Sequence, residues 1–475
     1  MARTLTVTWL GLLALAGGCT VGPNYQRPDT TALTPPEHAA SAAPYTEANP
    51  ADRWWTVFDD PLLNELIARA IAGNPDLAAA EARVRQSRAE ARAAGAQFYP
   101  QLNADASVNR NEISRNGEQL AIVPFRIPYN TFTDYKVGFD ASWELDLAGH
   151  TRRQVEAAVA RLGSAEELRN QAELVLAAEV AQDYVQYRLG RARAALAEDS
   201  LGAAHDTTRL YGLQSRAGVA SEADLARAQS DELSVQALPG LHTAEADVAL
   251  EALAALLAVP RAQLTAELEP DRPVPSTGVT PAIGLPSTLL ERRPDVRGAE
   301  RDLAAATADV GVAVADQFPR VSLVGTAGFE SVYTGQLISE ASRYWSIVPQ
   351  LSVPVFAGGR LRENVHAAEA ARDAALATYR STVLKAFSDT ESALIRYSAD
   401  TRRAATLAGA RDQLAQVHAL EQRREAAGDV AHLDVLSARL ALDQMADQAV
   451  SSTAQSALDF VSLEKALGGG WQPQL

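Results

Sequence analysis

The chain has 475 residues, enough for a large core, and a formal net charge of −16. Such an acidic chain is a poor partner for nucleic acid, because the phosphates would repel it. The low aromatic share of 6% and the abundance of alanine favour long helices packed through small side chains over a thick globular core.

The amino terminus has the composition of an export signal. Arg3 precedes an apolar run over residues 5–16, which is too short to span a bilayer as a helix, and small residues follow it. We therefore predict a signal peptide over residues 1–18 and a covalent lipid, with no other cofactor, on Cys19. The tract departs from the usual lipoprotein pattern, because alanine rather than leucine lies three residues before Cys19. The alternative is a free thiol within a signal peptide that is cut elsewhere.

Residues 19–53 are rich in proline, alanine, serine and threonine, which predicts an extended tether. Folded structure is expected from residue 54 onward. Asp60 and Pro61 then offer a cap and a first-turn proline for one helix, and Asn74 opens the next. Two helices therefore precede the first predicted strand.

Residues 134–147 alternate apolar and polar side chains without a break. The apolar face carries Tyr135, Val137, Phe139, Ala141, Trp143, Leu145 and Leu147. A strand of more than nine residues with one face for lipid and one for water is typical of a transmembrane β-barrel. At ~3.3 Å per residue it would reach roughly 45 Å, longer than an ordinary soluble strand. An edge strand of a large sandwich is the alternative interpretation.

The same pattern returns later in the chain, which indicates an internal duplication. The helix and strand after Pro75 recur after Pro294 at an offset of 219, and the stretch from Tyr135 onward recurs from Trp345 at an offset of 210. Each copy reads helix, strand, loop, strand, long helix, tight turn, long helix. We predict copies over residues 54–260 and 285–468, a linker over 261–284 and a tail over 469–475. The predicted strands are about 101–111 and 132–147 in the first copy and about 320–331 and 343–357 in the second.

Long helices lead to a tight turn in each copy. Residues 151–216 lack proline and repeat apolar side chains at intervals of three and four, which predicts a packed helix of about 100 Å at ~1.5 Å per residue. Gly218 and Gly428 lie where such helices need a left-handed residue. Each glycine therefore predicts a hairpin tip between two helices.

Four strands cannot close a barrel, and an open sheet in lipid would leave backbone groups unpaired. We therefore expect the chain to oligomerise, and three copies would give twelve strands.

Several segments together resemble the outer membrane factor family, the TolC-like efflux outlets, and in particular their NodT-type lipoproteins. They are VGPNYQRP at residues 21–28, WWTVFDDPLLNEL at residues 54–66, the lipoprotein signal and the gapless duplication with paired tips. The resemblance implies an α+β membrane protein whose homotrimer forms a twelve-stranded barrel in the cell outer membrane and continues as a periplasmic α-helical barrel. It implies a passive duct for drugs or other small solutes, docked to a periplasmic adaptor (membrane fusion) protein. Through the adaptor, the duct would connect to an inner-membrane transporter of the resistance-nodulation-division class.

The resemblance also implies site residues at the periplasmic mouth. Asp434, and by duplication Asp224, would face the pore axis near the closed end, although Ser437 stands where a second aspartate is usual in the family. A solvated surface group is the alternative for Asp434, and a carboxylate that complements the helix dipole is the alternative for Asp224. The adaptor-docking candidates at the tips are Gly218, Val219, Gly428 and Asp429. Turn geometry alone is the alternative explanation for the two glycines.

No catalytic or metal-binding pattern emerges from the sequence. The seven histidines lie on different predicted elements without a ligand spacing, so we predict neither an enzyme nor a metal site. A type I protein-secretion outlet would share the fold and stays open as an alternative. A periplasmic adaptor lipoprotein, or a coiled-coil scaffold, would not need four amphipathic strands. The identity of the transported solute does not follow from these patterns.

Overall fold

The computed structural model describes residues 20–30, 33, 45–114, 131–284 and 290–471. The predicted signal peptide and Cys19 lie outside these residues. The chain divides into two compact units. The first consists of Met1–Arg27, Arg85–Ser164 and Glu300–Thr378, and the second of Pro28–Val84, Ala165–Ala299 and Tyr379–Leu475.

The helices begin where the local signals predict. In chain order they are α1 (Pro61–Gly73), α2 (Pro75–Ala96), α3 (His150–Arg216), α4 (Glu222–Gln236), α5 (Leu238–Leu257), α6 (Arg261–Leu268), α7 (Pro294–Ala315), α8 (Arg360–Ala426) and α9 (His432–Ala466). Asp60 caps α1, because its Oδ1 accepts the Leu62 N–H at 2.9 Å. Asn74 caps α2 in the same way, and its Oδ1 accepts the Asp76 N–H at 2.9 Å.

Corresponding helices of the two copies have equal lengths, as the duplication predicts. Helices α3 and α8 each contain 67 residues, and their first residues, His150 and Arg360, are 210 positions apart. Helices α2 and α7 each contain 22 residues, and Pro75 and Pro294 begin them 219 positions apart. Corresponding positions of the two copies can therefore be compared residue by residue.

The prediction of one long helix after each tip is wrong for the first copy. Helix α4 ends at Gln236 and α5 begins at Leu238, whereas α9 is continuous over 35 residues. Pro239 lies in the first turn of α5. A proline has no N–H, and its ring clashes with the preceding turn, so it cannot continue a helix interior. The corresponding residue in α9 is Ala449, which imposes no break.

The four strands form one antiparallel sheet in the order β1-β2-β3-β4 within the first unit. They are β1 (Gln101–Glu112), β2 (Thr131–Leu145), β3 (Arg320–Ser331) and β4 (Arg343–Ser352). The predicted end of β2 at residue 147 is wrong, because the Leu147 N–H donates to the Leu145 carbonyl at 2.8 Å and closes a turn. The predicted end of β4 at residue 357 is also wrong. Pro354 has no N–H for the ladder and follows closely on the observed end.

The predicted tether is docked along residues 20–27. Arg153, at the start of α3, is 2% exposed and donates to the Val21 carbonyl at 3.2 Å and the Gly22 carbonyl at 3.3 Å. Val21 also donates its N–H to the Ala148 carbonyl at 3.0 Å. A buried guanidinium needs acceptors for its donors, and this segment supplies them. The tether prediction is therefore corrected for these residues, which are held beside the start of α3.

Aromatic and aliphatic side chains form the core of the second unit. The rings of Trp54 and Phe460 meet edge to face with centroids 6.3 Å apart. Leu264 and Leu268 of α6 are fully buried against the same core. The predicted linker over residues 261–284 is thus more than a connection, because its helix contributes apolar area that stabilises this unit.

Candidate functional site at the hairpin tips and the sheet

The first hairpin tip is a left-handed glycine turn. Gly218 has a φ of +73°, which residues with a side chain adopt only at a cost. Its N–H donates to the Ser215 carbonyl at 2.9 Å, and the next N–H, of Val219, donates to the Gln214 carbonyl at 2.9 Å. This pair of bonds is the Schellman arrangement that satisfies the last carbonyls of a helix. The Val219 side chain is 76% exposed beyond it.

The second tip repeats this geometry. Gly428 has a φ of +80° and donates to the Glu425 carbonyl at 2.8 Å, while Asp429 donates to the Arg424 carbonyl at 2.9 Å. Gly428 and Asp429 are exposed, as are Gly218 and Val219. The glycines therefore serve turn geometry, and the residues beside them stay accessible at the surface.

Asp224 is part of a complete capping box at the start of α4. Its Oδ2 accepts from the Ser221 hydroxyl at 2.6 Å and from the Ser221 N–H at 3.3 Å. The Asp224 N–H in turn donates to the Ser221 hydroxyl at 3.1 Å. These bonds to the charged form lower the pKa of the carboxyl below its usual value, with the serine hydroxyl as the main cause. Asp224 therefore stabilises the helix that returns from the first tip.

Asp434 occupies the matching position of α9 but makes only half of that motif. Its carboxylate accepts the Ala431 N–H at 3.0 Å, and the alanine side chain has no group to donate or accept in return. The side chain is exposed. Asp434 is thus less engaged in capping than Asp224, which leaves more of its carboxylate open to solvent and ions.

A contact between a histidine and a glutamate closes the second tip, and sequence reasoning did not anticipate it. His432 Nδ1 lies 2.5 Å from Glu425 Oε1, so the last turn of α8 is joined to the first turn of α9. The corresponding residues of the first tip are Ser215 and Glu222, which cannot form such a pair. The two tips share a backbone geometry but differ in this contact between their helices.

The strand register gives the sheet one apolar face across all four strands. Phe139 of β2 lies between Ala104 of β1 and Ala327 of β3, and Ala327 in turn lies opposite Trp345 of β4. Directly opposed residues share a face, so the alternation predicted for β2 extends to its neighbours. The apolar members of this face are Leu102, Ala104, Ala106, Val108, Tyr135, Val137, Phe139, Ala141, Trp143, Leu145, Val321, Leu323, Gly325, Ala327, Phe329, Trp345, Ile347, Pro349 and Leu351. At the end of the sheet where β1 leads to β2 and β3 to β4, the same face becomes polar, with Arg110, Glu112, Thr131, Thr133, Ser331 and Arg343.

The opposite face is polar and mainly acidic. Lys136 Nζ lies 3.9 Å from Glu330 Oε2 and 4.6 Å from the centre of the Tyr344 ring, and the Thr326 and Ser346 hydroxyls lie 2.9 Å apart. Phe132, Val324 and Val348 are apolar residues that interrupt this face. Its carboxylates, Asp105, Asp134, Asp140, Glu144 and Glu330, outnumber its cations, Lys136 and Arg320. One surface of the sheet therefore suits lipid and the other suits water and cations.

Within residues 20–30, 33, 45–114, 131–284 and 290–471, no group of three or more histidine, cysteine, aspartate or glutamate side chains is arranged to hold a metal ion. In the same part of the chain, no single helix has the length and apolar composition needed to cross a membrane. One bent pair, Glu222–Leu257 with Arg261–Leu268, meets those two criteria together.

Comparisons with known proteins match this architecture. Residues 66–259 and 285–469 match the family described as outer membrane efflux protein. The chain is similar to the solvent efflux pump outer membrane protein SrpC of Pseudomonas putida, with 30% identity over 469 residues and 97% of each protein covered. It is also similar to the pyoverdine export outer membrane protein OpmQ of Pseudomonas aeruginosa, with 33% identity over 472 residues that cover 99% of this chain and 97% of that protein. Among solved structures, the outer-membrane channel OprN gives a TM-score of 0.86 at 35% identity, covering 96% of this chain and 100% of the other.

Proposed function

This chain belongs to the outer membrane efflux protein family, and we propose that three copies of it form one continuous duct across the outer membrane and into the periplasm. It is the outer membrane channel component of a tripartite efflux system.

The open sheet supports assembly into a trimer. In the described chain, the outer edges of β1 and β4 have no strand partner. In lipid, the backbone groups on such edges would lack hydrogen bonds at a cost of several kcal/mol each. Pairing of β4 in one copy with β1 in the next would remove every edge once three copies close a ring of twelve strands.

In all four strands the apolar side chains lie on the same face of the sheet, and this single observation carries the proposal. A closed barrel with the apolar face turned outward would present Phe139 and Trp345 to lipid and Asp140 and Glu330 to the lumen. The lumen would then be lined by hydroxyls, amides and an excess of carboxylates, which attract cations and recognise little else. The long hairpins of α3 with α4 and α5, and of α8 with α9, would continue the duct as a helical tunnel.

A duct of this kind needs a partner that supplies energy. The relatives named above serve solvent efflux and pyoverdine export, which supports small solutes, including drugs, as the cargo. The proposed partners are a periplasmic adaptor and, through it, an inner-membrane transporter of the resistance-nodulation-division class. A type I protein-secretion outlet is the second candidate, but neither relative is named for protein export.

We propose that the exposed tips dock the adaptor and that Asp434 lies at the gate. Gly218, Val219, Gly428 and Asp429 are accessible at the ends of the hairpins, as a docking surface requires. Three copies of Asp434 converging on an axis would repel one another unless they were hydrated or bound a cation. Asp224, held by Ser221, would contribute less to such a gate.

A lipid on Cys19 would anchor each copy next to the sheet. The residues that follow Cys19 are held by Arg153 beside the start of α3, close to the end of β2. Acyl chains attached there would enter the leaflet that borders the apolar face. Mass spectrometry of the mature protein should find a lipid-modified Cys19 at the amino terminus. An unmodified terminus elsewhere would refute the anchor without affecting the barrel.

Efflux measurements in a deletion strain test the function. Cells lacking this protein should accumulate a fluorescent pump substrate, and expression of the wild-type chain should restore efflux. Light scattering on the purified protein should give the mass of three copies. Restored efflux by a protein that stays monomeric would contradict the proposed assembly, and failure to restore efflux would contradict the proposed role.

A further inference from the structure

The segments that lead from the sheet into the two longest helices correspond to each other at the offset of 210. We call residues 146–152, where β2 leads into α3, the first junction, and residues 356–362, where β4 leads into α8, the second junction. Gly149 and Gly359 share a left-handed backbone, with φ of +86° and +88°. A Cβ on Gly149 would lie 2.9 Å from the Thr20 Cα, whereas a Cβ on Gly359 would meet no described atom within 4 Å. Thr20 therefore covers the first junction at this glycine, and no described residue covers the second at the matching place.

The two junctions also differ in how an arginine is neutralised. Arg152 Nε lies 3.7 Å from Asp146 Oδ2, and Arg152 Nη1 donates to the Thr20 hydroxyl at 3.5 Å. The counterparts of Arg152 and Asp146 are Arg362 and Phe356. A phenyl ring has no carboxylate, so the second junction keeps the guanidinium and lacks the anion that accompanies it in the first.

Most of the Arg362 side chain is open to solvent. It is 73% exposed, and its Nε donates to Glu363 Oε1 at 3.4 Å, the long end of a hydrogen bond. The other Glu363 oxygen lies 3.3 Å from His366 Nδ1, so this carboxylate is shared. The guanidinium of Arg362 can therefore accept a further anionic partner.

Arg360 adds a second cation to the same junction. It lines a cavity of about 280 Å³ with Asp316 and Arg320. Asp316 is already held by Arg320 at 2.5 Å and by His150 at 3.0 Å. Arg360 itself has no ion pair within the described chain. The second junction thus carries more positive charge than its carboxylates balance.

Apolar side chains border this charge. Val353 and Val355 continue the alternation of β4 beyond Leu351, and they are 49% and 92% exposed. Phe356 is also 92% exposed. The apolar face that we propose to meet lipid therefore continues to within a few residues of Arg362. Apolar and aromatic side chains beside arginine are typical of the level at which a membrane protein meets lipid headgroups.

We propose that the second junction binds one anionic phospholipid of the bordering leaflet, with its phosphate at Arg362 and an acyl chain along Val355 and Phe356. The inference rests on the barrel proposed above, because it requires the apolar face to meet lipid. A guanidinium matches the geometry of a phosphate group and binds it through charge-assisted hydrogen bonds. In the first junction, Asp146 supplies the anion and the segment that follows Cys19 supplies the cover. In the second junction, the lipid supplies both.

Lipid binding to the purified trimer tests the site. The delipidated wild type in detergent, titrated with dioleoyl phosphatidylglycerol and followed by native mass spectrometry, should bind one molecule per copy before further lipids add. Arg362→Gln should weaken this binding about tenfold or more, because the phosphate loses a charge-assisted contact. Arg380→Gln is the control and should bind as the wild type does. This exposed arginine lies on the same helix, roughly 27 Å beyond Arg362 at ~1.5 Å per residue.

A second variant copies the first junction into the second. Phe356→Asp should engage Arg362 from within the chain and weaken lipid binding about as much as Arg362→Gln does. Asp146 shows that an aspartate fits this place in the fold, so trimer formation should be unaffected. Unchanged lipid binding in Phe356→Asp would count against the phosphate contact.

Competition separates the two parts of the ligand. Neither inorganic phosphate nor dioleoylglycerol, at the concentration of the phospholipid, should displace it from the wild type. Displacement by inorganic phosphate would identify a simple anion site, and displacement by dioleoylglycerol a purely apolar one, so either result would overturn the proposal. A wild-type trimer whose lipid binding is unaffected by Arg362→Gln would overturn this site and leave the barrel intact. A wild-type protein that neither forms trimers nor binds lipid would overturn the proposed barrel, and this site with it.

Discussion

Glu464 near the end of α9 provides a direct test of the packing in the second unit. Its side chain is 4% exposed, and its Oε2 has no hydrogen-bond partner among the described residues. Burial raises the pKa of this carboxyl from a usual value of 4.5 to about 8, and the charge of Arg292 only partly opposes the rise.

The sign of the effect follows from linkage. Because the pKa in the folded state lies above that in the unfolded state, the contribution of Glu464 to stability is fully present below pH 4.5 and is lost as the pH rises toward 8. One pKa unit corresponds to about 1.4 kcal/mol, so holding the proton at pH 7 costs about 3 kcal/mol of folding free energy. Glu464→Gln removes this cost, because glutamine has the same shape and does not ionise.

Thermal unfolding followed by the helical circular dichroism signal measures this cost. Glu464→Gln should raise the melting temperature at pH 7 to 8, and the gain should shrink toward zero at pH 5. The exposed Glu363→Gln is the control and should not gain stability at any pH, because His366 and Arg362 favour its charged form. An equal shift for Glu464→Gln at pH 5 and pH 8 would refute the reasoning, since the effect would then not involve ionisation.

Three further predictions concern the sheet and the mouth. Phe139→Arg, near the middle of β2 on the apolar face, should cost about 2 to 4 kcal/mol of barrel stability, measured as heat-induced loss of the folded trimer on gels. The neighbouring Asp140→Asn should leave stability unchanged and lower the cation preference of channels in planar bilayers. Equal loss of stability in both variants would contradict the assignment of Phe139 to lipid and of Asp140 to the lumen. Asp434→Ala should reduce cation preference and block by multivalent cations without affecting trimer formation, and Asp224→Ala should alter both less. Unchanged selectivity in Asp434→Ala would indicate a solvated surface group.

Much of the fold follows from sequence because the chain repeats itself. Gly218 and Gly428 predict both tips, since a helix that ends in a left-handed residue needs glycine. The alternation around Phe139 predicts which side chains of β2 lie on the apolar face, and the duplication extends this prediction to β4. Local chemistry and internal symmetry determine these features, and both can be read without knowing any tertiary contact.

The remaining features depend on contacts between distant residues. The docking of residues 20–27 depends on Arg153, whose burial is set by the packed structure rather than by its neighbours in sequence. The His432 and Glu425 pair forms because the turn brings two helix ends together. Pro239 explains the break between α4 and α5, whereas the repeat pattern alone predicts one continuous helix.

Collision measurements with spin labels along β2 test the central claim most directly. Single labels at each position from 132 to 145, in trimers reconstituted into lipid bilayers, should show alternating access to oxygen and to a water-soluble nickel complex. The label at position 139 should collide mainly with oxygen and the label at position 140 mainly with nickel, because in the proposed barrel the first faces lipid and the second faces the aqueous lumen. If access to oxygen and access to the nickel complex rise and fall together along the strand, the result would contradict a barrel that separates lipid from water.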